Sequence, residues 1–161
     1  MAGWGRPCHD GVVPHYEKPK PFDKVFNATV ARLTRLGLSV WGSRVLRVKG
    51  RTSGLWRSNP VNVLTLDHRR YLVAPRGETE WVRNIRVAGG GELVVGRRVE
   101  TFGAREVGDD DKVEVLRAYL RRWKFEVGKF FGGVSADSSD DDLRRIAPEH
   151  PVFEVTTTSA S

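Results

Sequence analysis

Hydrophobic and polar positions along this chain change period more than once. Between residues 22 and 36, Phe22, Val25, Phe26, Val30, Leu33 and Leu36 recur at helical spacing, and Gly37 is placed to stop the run. This spacing predicts an amphipathic helix that packs on the rest of the fold, with Arg32 and Arg35 on its polar side. From residue 44 the pattern shortens to that of strands. Val45, Leu46 and Val48 are interleaved with Arg44, Arg47 and Lys49, and 61–66 is β-branched and apolar. Asp67-His68-Arg69-Arg70 then turns that run into Tyr71-Leu72-Val73-Ala74, which predicts a hairpin. Residues 81–87 read as a short helical turn before Gly89-Gly90-Gly91, and 92–95 and 99–106 as two more strands.

Beyond residue 108 helical spacing returns. Asp109, Asp110 and Asp111 offer a cap and negative charge at a helix start, with Glu114 spaced as a capping-box partner to Asp111. Val113, Leu116, Leu120, Trp123 and Val127 mark one face, and Gly128, Gly132 and Gly133 loosen the end. Residues 137–142 cap a second short helix around Leu143 and Ile146, stopped by Pro148. Val152-Phe153-Glu154-Val155 predicts a closing strand. Antiparallel strands joined by short turns, with helices at either end, suit a small β-barrel of the α+β class. The expected organisation is a loose lead-in over 1–20, broken by Pro7, Pro14 and Pro19, one domain over 21–157, and a frayed tail over 158–161.

Composition narrows the function classes. The 161 residues are 39% hydrophobic and 29% charged, ordinary for one globular domain. No run reaches the roughly 18 apolar residues of a membrane span, and the first residues show no apolar signal segment. A lone cysteine, Cys8, cannot form an internal disulfide, so a cytoplasmic location is expected, with membrane contact through the 22–36 helix left open. Charge is uneven. Residues 1–108 hold 19 Lys and Arg against 9 Asp and Glu, and residues 109–161 hold 8 against 11, so +10 and −3 make the net +7. A basic surface of this kind suits nucleic acid, an anionic membrane or an anionic cofactor.

Candidate chemistry concentrates between residues 50 and 84. In Gly50-Arg51-Thr52-Ser53-Gly54 the glycines allow positive φ, which lets backbone N–H groups converge on an anion. Thr52 and Ser53 add hydroxyls, and Arg51 and Arg57 offer charge-assisted contacts to phosphate. A polar hairpin turn with solvated arginines would read the same way. Arg76 is a second cation at a strand end, after Ala74-Pro75, and Trp81 and Asn84 follow.

In order and spacing these pieces resemble the deazaflavin-dependent nitroreductase family, split-β-barrel proteins that use coenzyme F420. The residues that carry the resemblance are Gly50-Arg51-Thr52-Ser53-Gly54-Leu55-Trp56-Arg57-Ser58-Asn59-Pro60-Val61, then Leu72-Val73-Ala74-Pro75-Arg76-Gly77, then Trp81-Val82-Arg83-Asn84-Ile85. It spans roughly residues 22–157 and is sharpest over 50–107. The resemblance implies a split, FMN-binding-like antiparallel barrel with an N-terminal helix and C-terminal helices packed on it. It implies that Arg51, Thr52, Ser53 and Arg57, with Ser58 and Asn59, take the phosphate and part of the acidic tail of F420. Pro60, Val61 and Asn62 would line the deazaflavin ring. Val73, Ala74, Pro75 and Arg76 would close the other side, and Glu80, Trp81, Val82, Arg83 and Asn84 would border the ring and ribityl chain. Two departures matter. Pro75 stands where relatives often carry a hydroxyl, and Tyr119, Trp123, Phe125, Phe130 and Phe131 make a more apolar substrate wall than the tyrosines of nitroimidazole-reducing relatives.

The implied activity is hydride transfer from the reduced deazaflavin to a small electron-poor acceptor: an activated alkene, a quinone or a nitroaromatic. A separate F420-reducing dehydrogenase would supply the reduced cofactor. The catalytic proton donor is not assigned, and the protein would be a monomer or homodimer. Two other readings stand beside this one: a non-catalytic carrier of F420, FMN or haem on the same barrel, and a basic nucleic-acid-binding barrel with Trp56 and Tyr71 as stacking residues. No metal site is expected: Cys8, His9 and His15 read as a chance cluster, and the acidic run 137–142 lacks EF-hand spacing. His68 and His150 are expected at the surface, and Ser53 lacks the partners of a hydrolase triad.

Overall fold

A computed structural model describes residues 43–157 apart from Gly96, so the expected helix over 22–36 and the Cys8, His9 and His15 cluster lie outside the described residues. Six strands close into an antiparallel barrel in the order β1-β2-β3-β6-β5-β4. They are β1 (Ser43–Lys49), β2 (Trp56–Leu66), β3 (Arg69–Val73), β4 (Gly90–Val95), β5 (Arg98–Glu106) and β6 (Val152–Thr157). Three helices accompany them: α1 (Glu80–Ala88), α2 (Lys112–Val127) and α3 (Asp140–Ile146). The split-barrel expectation is met, and closure leaves few strand edges to protect.

Strand alternation sorts the apolar residues onto two faces. Leu46, Val48, Val61, Leu72, Ala74, Leu93, Phe102, Phe153 and Val155 fill the barrel interior. Their neighbours Leu64, Tyr71, Val73 and Val152 point outward and are covered by Val113, Leu116, Tyr119, Leu120, Trp123 and Val127 of α2 and by Leu143 of α3. The helical face marked out by sequence period is thus the buried one. The capping box is not formed, because Asp111 makes no side-chain cap. Asp109 instead accepts from the buried Lys112 ammonium at 2.5 Å, and that ammonium also donates to the Ala147 carbonyl at 2.9 Å. Ser139 does cap α3, accepting from the Asp142 N–H at 3.1 Å.

Helix α1 is longer than the single turn expected, running nine residues with a buried face of Trp81, Val82, Asn84 and Ile85. Its apolar side chains join the barrel-interior cluster, so the helix plugs the barrel. Burial of Val82 and Ile85 contributes on the order of 2 kcal/mol each. Gly89 ends it in the left-handed region, and its N–H returns to the Ile85 carbonyl. The β2–β3 hairpin turns on Asp67 and His68 alone, both at positive φ, so β3 begins two residues earlier than the apolar run suggests.

One feature of the β2–β3 pair shapes everything near it. Its ladder runs only from Val63 opposite Leu72 to Leu66 opposite Arg69. Extended three residues in the same register, it would set Pro60 against Pro75. Neither proline has an N–H to give, so the ladder cannot continue there. Strand β2 stays paired to β1 along 56–62, whereas the chain after β3 turns towards β6, with the Ala74 N–H donating to the Pro151 carbonyl at 2.9 Å. Among the described residues the closed barrel is therefore left unpaired along one stretch, between 56–62 and 74–77.

Close packing of β4 on β5 gives a test of the closed side. A Cβ added at Gly90 would lie 2.2 Å from the Phe102 carbonyl oxygen, whereas one added at Gly128 would meet nothing within 4 Å. Gly90→Ala is expected to cost about 2 kcal/mol or more by forcing the strands apart. Gly128→Ala, at ordinary helical φ, is expected to be neutral or slightly stabilising. Chemical denaturation of both variants measures the difference, and equal midpoints would contradict it.

Candidate functional site

The turn between β1 and β2 is held by its own groups. Gly50 N–H donates to the Leu55 carbonyl and Gly54 N–H to the Gly50 carbonyl, both at 2.8 Å, and Leu55 N–H donates to the Ser53 hydroxyl at 3.3 Å. Gly54 sits at φ 67°, where a side chain would be strained. The Arg51 N–H leaves the turn and donates to Asn84 Oδ1 at 3.1 Å. With four amides engaged inside the protein, the turn presents to solvent the hydroxyls of Thr52 and Ser53 beside the exposed Leu55 side chain.

Asn84 is the pin of this region. Only 4% exposed on α1, it accepts at Oδ1 from both the Arg51 N–H and the Arg51 guanidinium, the latter at 3.0 Å. The guanidinium also donates to Glu80 at 2.7 Å. The hydrogen bond from Arg51, aided by its charge, holds the Glu80 carboxyl below its ordinary range. Glu80 lies 3.4 Å from Arg83 as well. Arg51, Glu80, Arg83 and Asn84 thus form one bonded group that fixes the turn to the start of α1. Trp81 and Val82 are inside the barrel, with Trp81 packed 5.9 Å from Phe153, so they hold α1 rather than face outward.

Along the open edge the candidate residues divide by face. Val61 is in the interior; Ser58, Asn59 and Asn62 are half-buried; Arg57 and Pro60 are exposed. The Arg57 stem passes 3.8 Å from where a Gly50 Cβ would stand, which places this arginine against the turn. Across the opening, Val73 and Ala74 are buried, Pro75 is half-buried and Arg76 is exposed. Gly77, at φ 77°, closes a tight turn by donating to the Ala74 carbonyl at 3.0 Å. Arg76 lies 5.1 Å over the Phe130 ring. Among the described residues, neither Arg57 nor Arg76 has a carboxylate within ion-pair distance, unlike Arg51 and Arg83. Two cations without a neutralising partner flank an edge of unpaired strand backbone, an arrangement that can hold an extended anion.

A cleft of about 570 Å³ opens beside the strand end, lined by Pro75, Arg76, Gly77, Phe130, Glu149 and His150. It corrects two expectations. His150 is not a surface residue: it is 4% exposed, with its ring stacked 4.2 Å from that of Phe131. Burial pushes its imidazole below the ordinary value, against the opposing pull of backbone hydrogen bonding at Ala74 and Pro75. The supposed aromatic wall also dissolves. Tyr119, Trp123 and Phe131 belong to the helix–barrel core, Phe125 points wholly into solvent, and only Phe130 lines the cleft. His150 gave no signal in sequence, because the ring that buries it comes from a separate glycine-flanked segment. His68, by contrast, is exposed in its turn as expected.

The sequence profile of the F420H(2)-dependent quinone reductase family matches residues 23–127, which is 105 of 161 positions and includes the turn, β2, the β3 end and α1. Among solved structures, an F420-H2 dependent reductase, FDR-A, superposes with a TM-score of 0.52 at 17% identity, covering 71% of this chain and 93% of its own. A conserved hypothetical protein from Mycobacterium tuberculosis gives 0.51 at 12% identity, covering 81% and 79%. At such identities the likeness is one of fold. No curated protein gives a significant match. The family profile covers well over half of the chain, including every candidate residue of the open edge: the protein belongs to the F420H(2)-dependent quinone reductase family, and coenzyme F420 is its cofactor.

Proposed function

We propose that F420 lies along the open edge of the barrel and that this reductase passes its electrons to a quinone-type or other electron-poor small molecule. What carries this reading is the gap between Pro60 and Pro75, with Arg57 on one bank and Arg76 on the other, both free of carboxylate partners among the described residues. A ligand bearing a phosphate and several carboxylates needs cations that are not already neutralised, and a flat ring system needs a slot between strands. When bound in its reduced form, F420 supplies a hydride.

The chain's own residues would do the rest. Arg57, with the Thr52 and Ser53 hydroxyls, would bind the phosphate and part of the acidic tail. Ser58, Asn59, Pro60, Val61 and Asn62 would border the ring on the β2 side, and Val73, Ala74, Pro75 and Arg76 on the other. Arg51, Glu80, Arg83 and Asn84 act one step back: they hold the turn that presents Arg57. Trp81 and Val82 hold α1 in the barrel. Water would be kept from one face of the ring by the proline-lined strands. A separate F420-reducing enzyme would return the cofactor to its reduced state.

These two roles are separable. Arg57→Ala is expected to weaken F420 binding about 10- to 100-fold through loss of a charge-assisted contact, with little change in melting temperature. Asn84→Ala leaves the part-buried Arg51 N–H and guanidinium without this partner, so it is expected to cost about 1–2 kcal/mol of stability and to weaken binding as a consequence. Fluorescence titration with F420, run beside FMN and haem, and thermal melts of each variant make the comparison. Unchanged F420 affinity in Arg57→Ala would remove the phosphate assignment, and a preference of the wild type for FMN or haem would overturn the cofactor placement.

A further inference from the structure

Cations and carboxylates are matched over much of the described surface. Arg117 pairs with Asp140, Arg144 with Asp141 and Arg145 with Asp142, so the acidic start of α3 is neutralised by its own neighbours. The end of α2 and the segment after it are different. Arg121, Arg122, Lys124 and Lys129 are all exposed, and among the described residues none of them has a carboxylate within ion-pair distance. In their midst Phe125 is 99% exposed, with the Lys124 ammonium 6.0 Å from its ring centre. Trp123 and Val127 are buried in the helix–barrel core, which anchors the helix and leaves Phe125 on its outer side. Lys129 and Arg76 lie 5.0 and 5.1 Å over the Phe130 ring, so the cations continue from α2 to the rim of the cleft.

We propose that the end of α2 docks on an anionic lipid surface, with Phe125 entering the headgroup region and Arg121, Arg122, Lys124 and Lys129 meeting lipid phosphates. A lone exposed apolar residue is commonplace and signals nothing by itself. The unneutralised cations around this one choose the partner. Like charges gathered on one short segment repel each other, and a negatively charged surface relieves them together. A bilayer uses both features at once. The ring partitions between headgroups, while the Lys and Arg stems lie along the apolar boundary and their charges reach the phosphates.

Other occupants match this surface less well. A stable protein interface buries roughly 800 Å² on each partner, and a single ring among cations offers little apolar area to begin one. A nucleic-acid strand would meet the cations, but base stacking needs an open aromatic face, and the Lys124 ammonium lies over that of Phe125. Docking on lipid also has a consequence for the cleft. Because Lys129 and Arg76 share the Phe130 ring, the rim of the cleft comes to the same surface as Phe125. None of this depends on where the cofactor lies, and Phe125 takes no part in the candidate site.

The test floats the full chain with vesicles of equal parts phosphatidylglycerol and phosphatidylcholine, beside vesicles of phosphatidylcholine alone. Binding is expected to the first and not to the second, and it should fall steeply as salt is raised towards ~0.5 M. Phe125→Ser, at a position the fold does not bury, should weaken binding about tenfold at an unchanged melting temperature. Arg121→Gln combined with Arg122→Gln should weaken it about 25-fold, near fivefold for each cation withdrawn from the surface. Residues 22–36 also carry an amphipathic pattern, so the point of contact is read separately. A polarity-sensitive dye attached to Phe125→Cys, in a Cys8→Ser background, should shift to the blue with anionic vesicles, whereas the same dye on the exposed Thr101→Cys should not. No binding to anionic vesicles, binding that both sets of substitutions leave unchanged, or an unshifted dye at position 125 would overturn the proposal. So would tighter binding to a single-stranded oligonucleotide than to anionic vesicles, lost in the same variants.

Discussion

Two prolines that would face each other across a strand ladder mark the place on this barrel where we propose that the cofactor lies. A closed six-stranded barrel of this size is filled by its own side chains and offers no internal room. Function must come from a place where the hydrogen-bond network is interrupted, and interruption is costly unless the freed groups are ones that needed no partner. Pro60 and Pro75 help to meet that condition, because three positions beyond the last β2–β3 pair, Val63 and Leu72, neither has a donor to leave unmet. The strands part there at little cost in unsatisfied backbone. After the parting, Ala74 bonds to Pro151, so the β3 end keeps its place on the β6 side and Arg76 is delivered beside His150.

The opening would be of little use if the turn beside it were loose. Its stiffness comes from a single amide oxygen, that of Asn84, which takes two bonds from Arg51 on a helix whose other inward residues are locked in the barrel core. Electrostatics follow from the same contact. Arg51 is drawn to Glu80, and Arg86 is bonded to Glu78 and Glu106, so several of the cations in this basic stretch are already neutralised. Arg47 is paired with Glu92 and Arg70 with Glu100. What remains beside the opening is Arg57 and Arg76. Charge at these two points suits one small extended anion better than a long polyanion, and the buried Tyr71 is not placed to stack on a base.

Much of this was legible in the amino-acid sequence, and the parts that were not share a cause. Strand period placed β1 and β3 to β6 within two residues at each end but began β2 at Val61, five residues after its start at Trp56, and helical period named the buried face of α2, because both signals are local and repeat. The strand-end arginine and the glycine turn were readable as chemistry, since such residues have few structural reasons to recur together. Longer-range facts were out of reach. Asn84 looks like any helical asparagine until the turn 33 residues earlier docks on it. The aromatic residues of 119–131 were read as one wall, yet the kink at Trp123 and the glycines after it send Phe125, Phe130 and Phe131 in three directions. Register was equally hidden, and with it the opposition of Pro60 and Pro75.

The misjudged histidine is instructive in the same way. A histidine before a proline, near the end of a chain rich in exposed charge, has every local mark of a surface residue. Tertiary packing reversed that: the short helix at Ala147–Glu149 turns the ring inward, Phe131 covers it, and the β3 end closes over its other side. A fold that needed only to fill this space would gain more from leucine or phenylalanine, which bury apolar area and leave no polar atom unmet. An imidazole whose Nδ1 is sealed from solvent, with no partner among the described residues, costs stability where it stands.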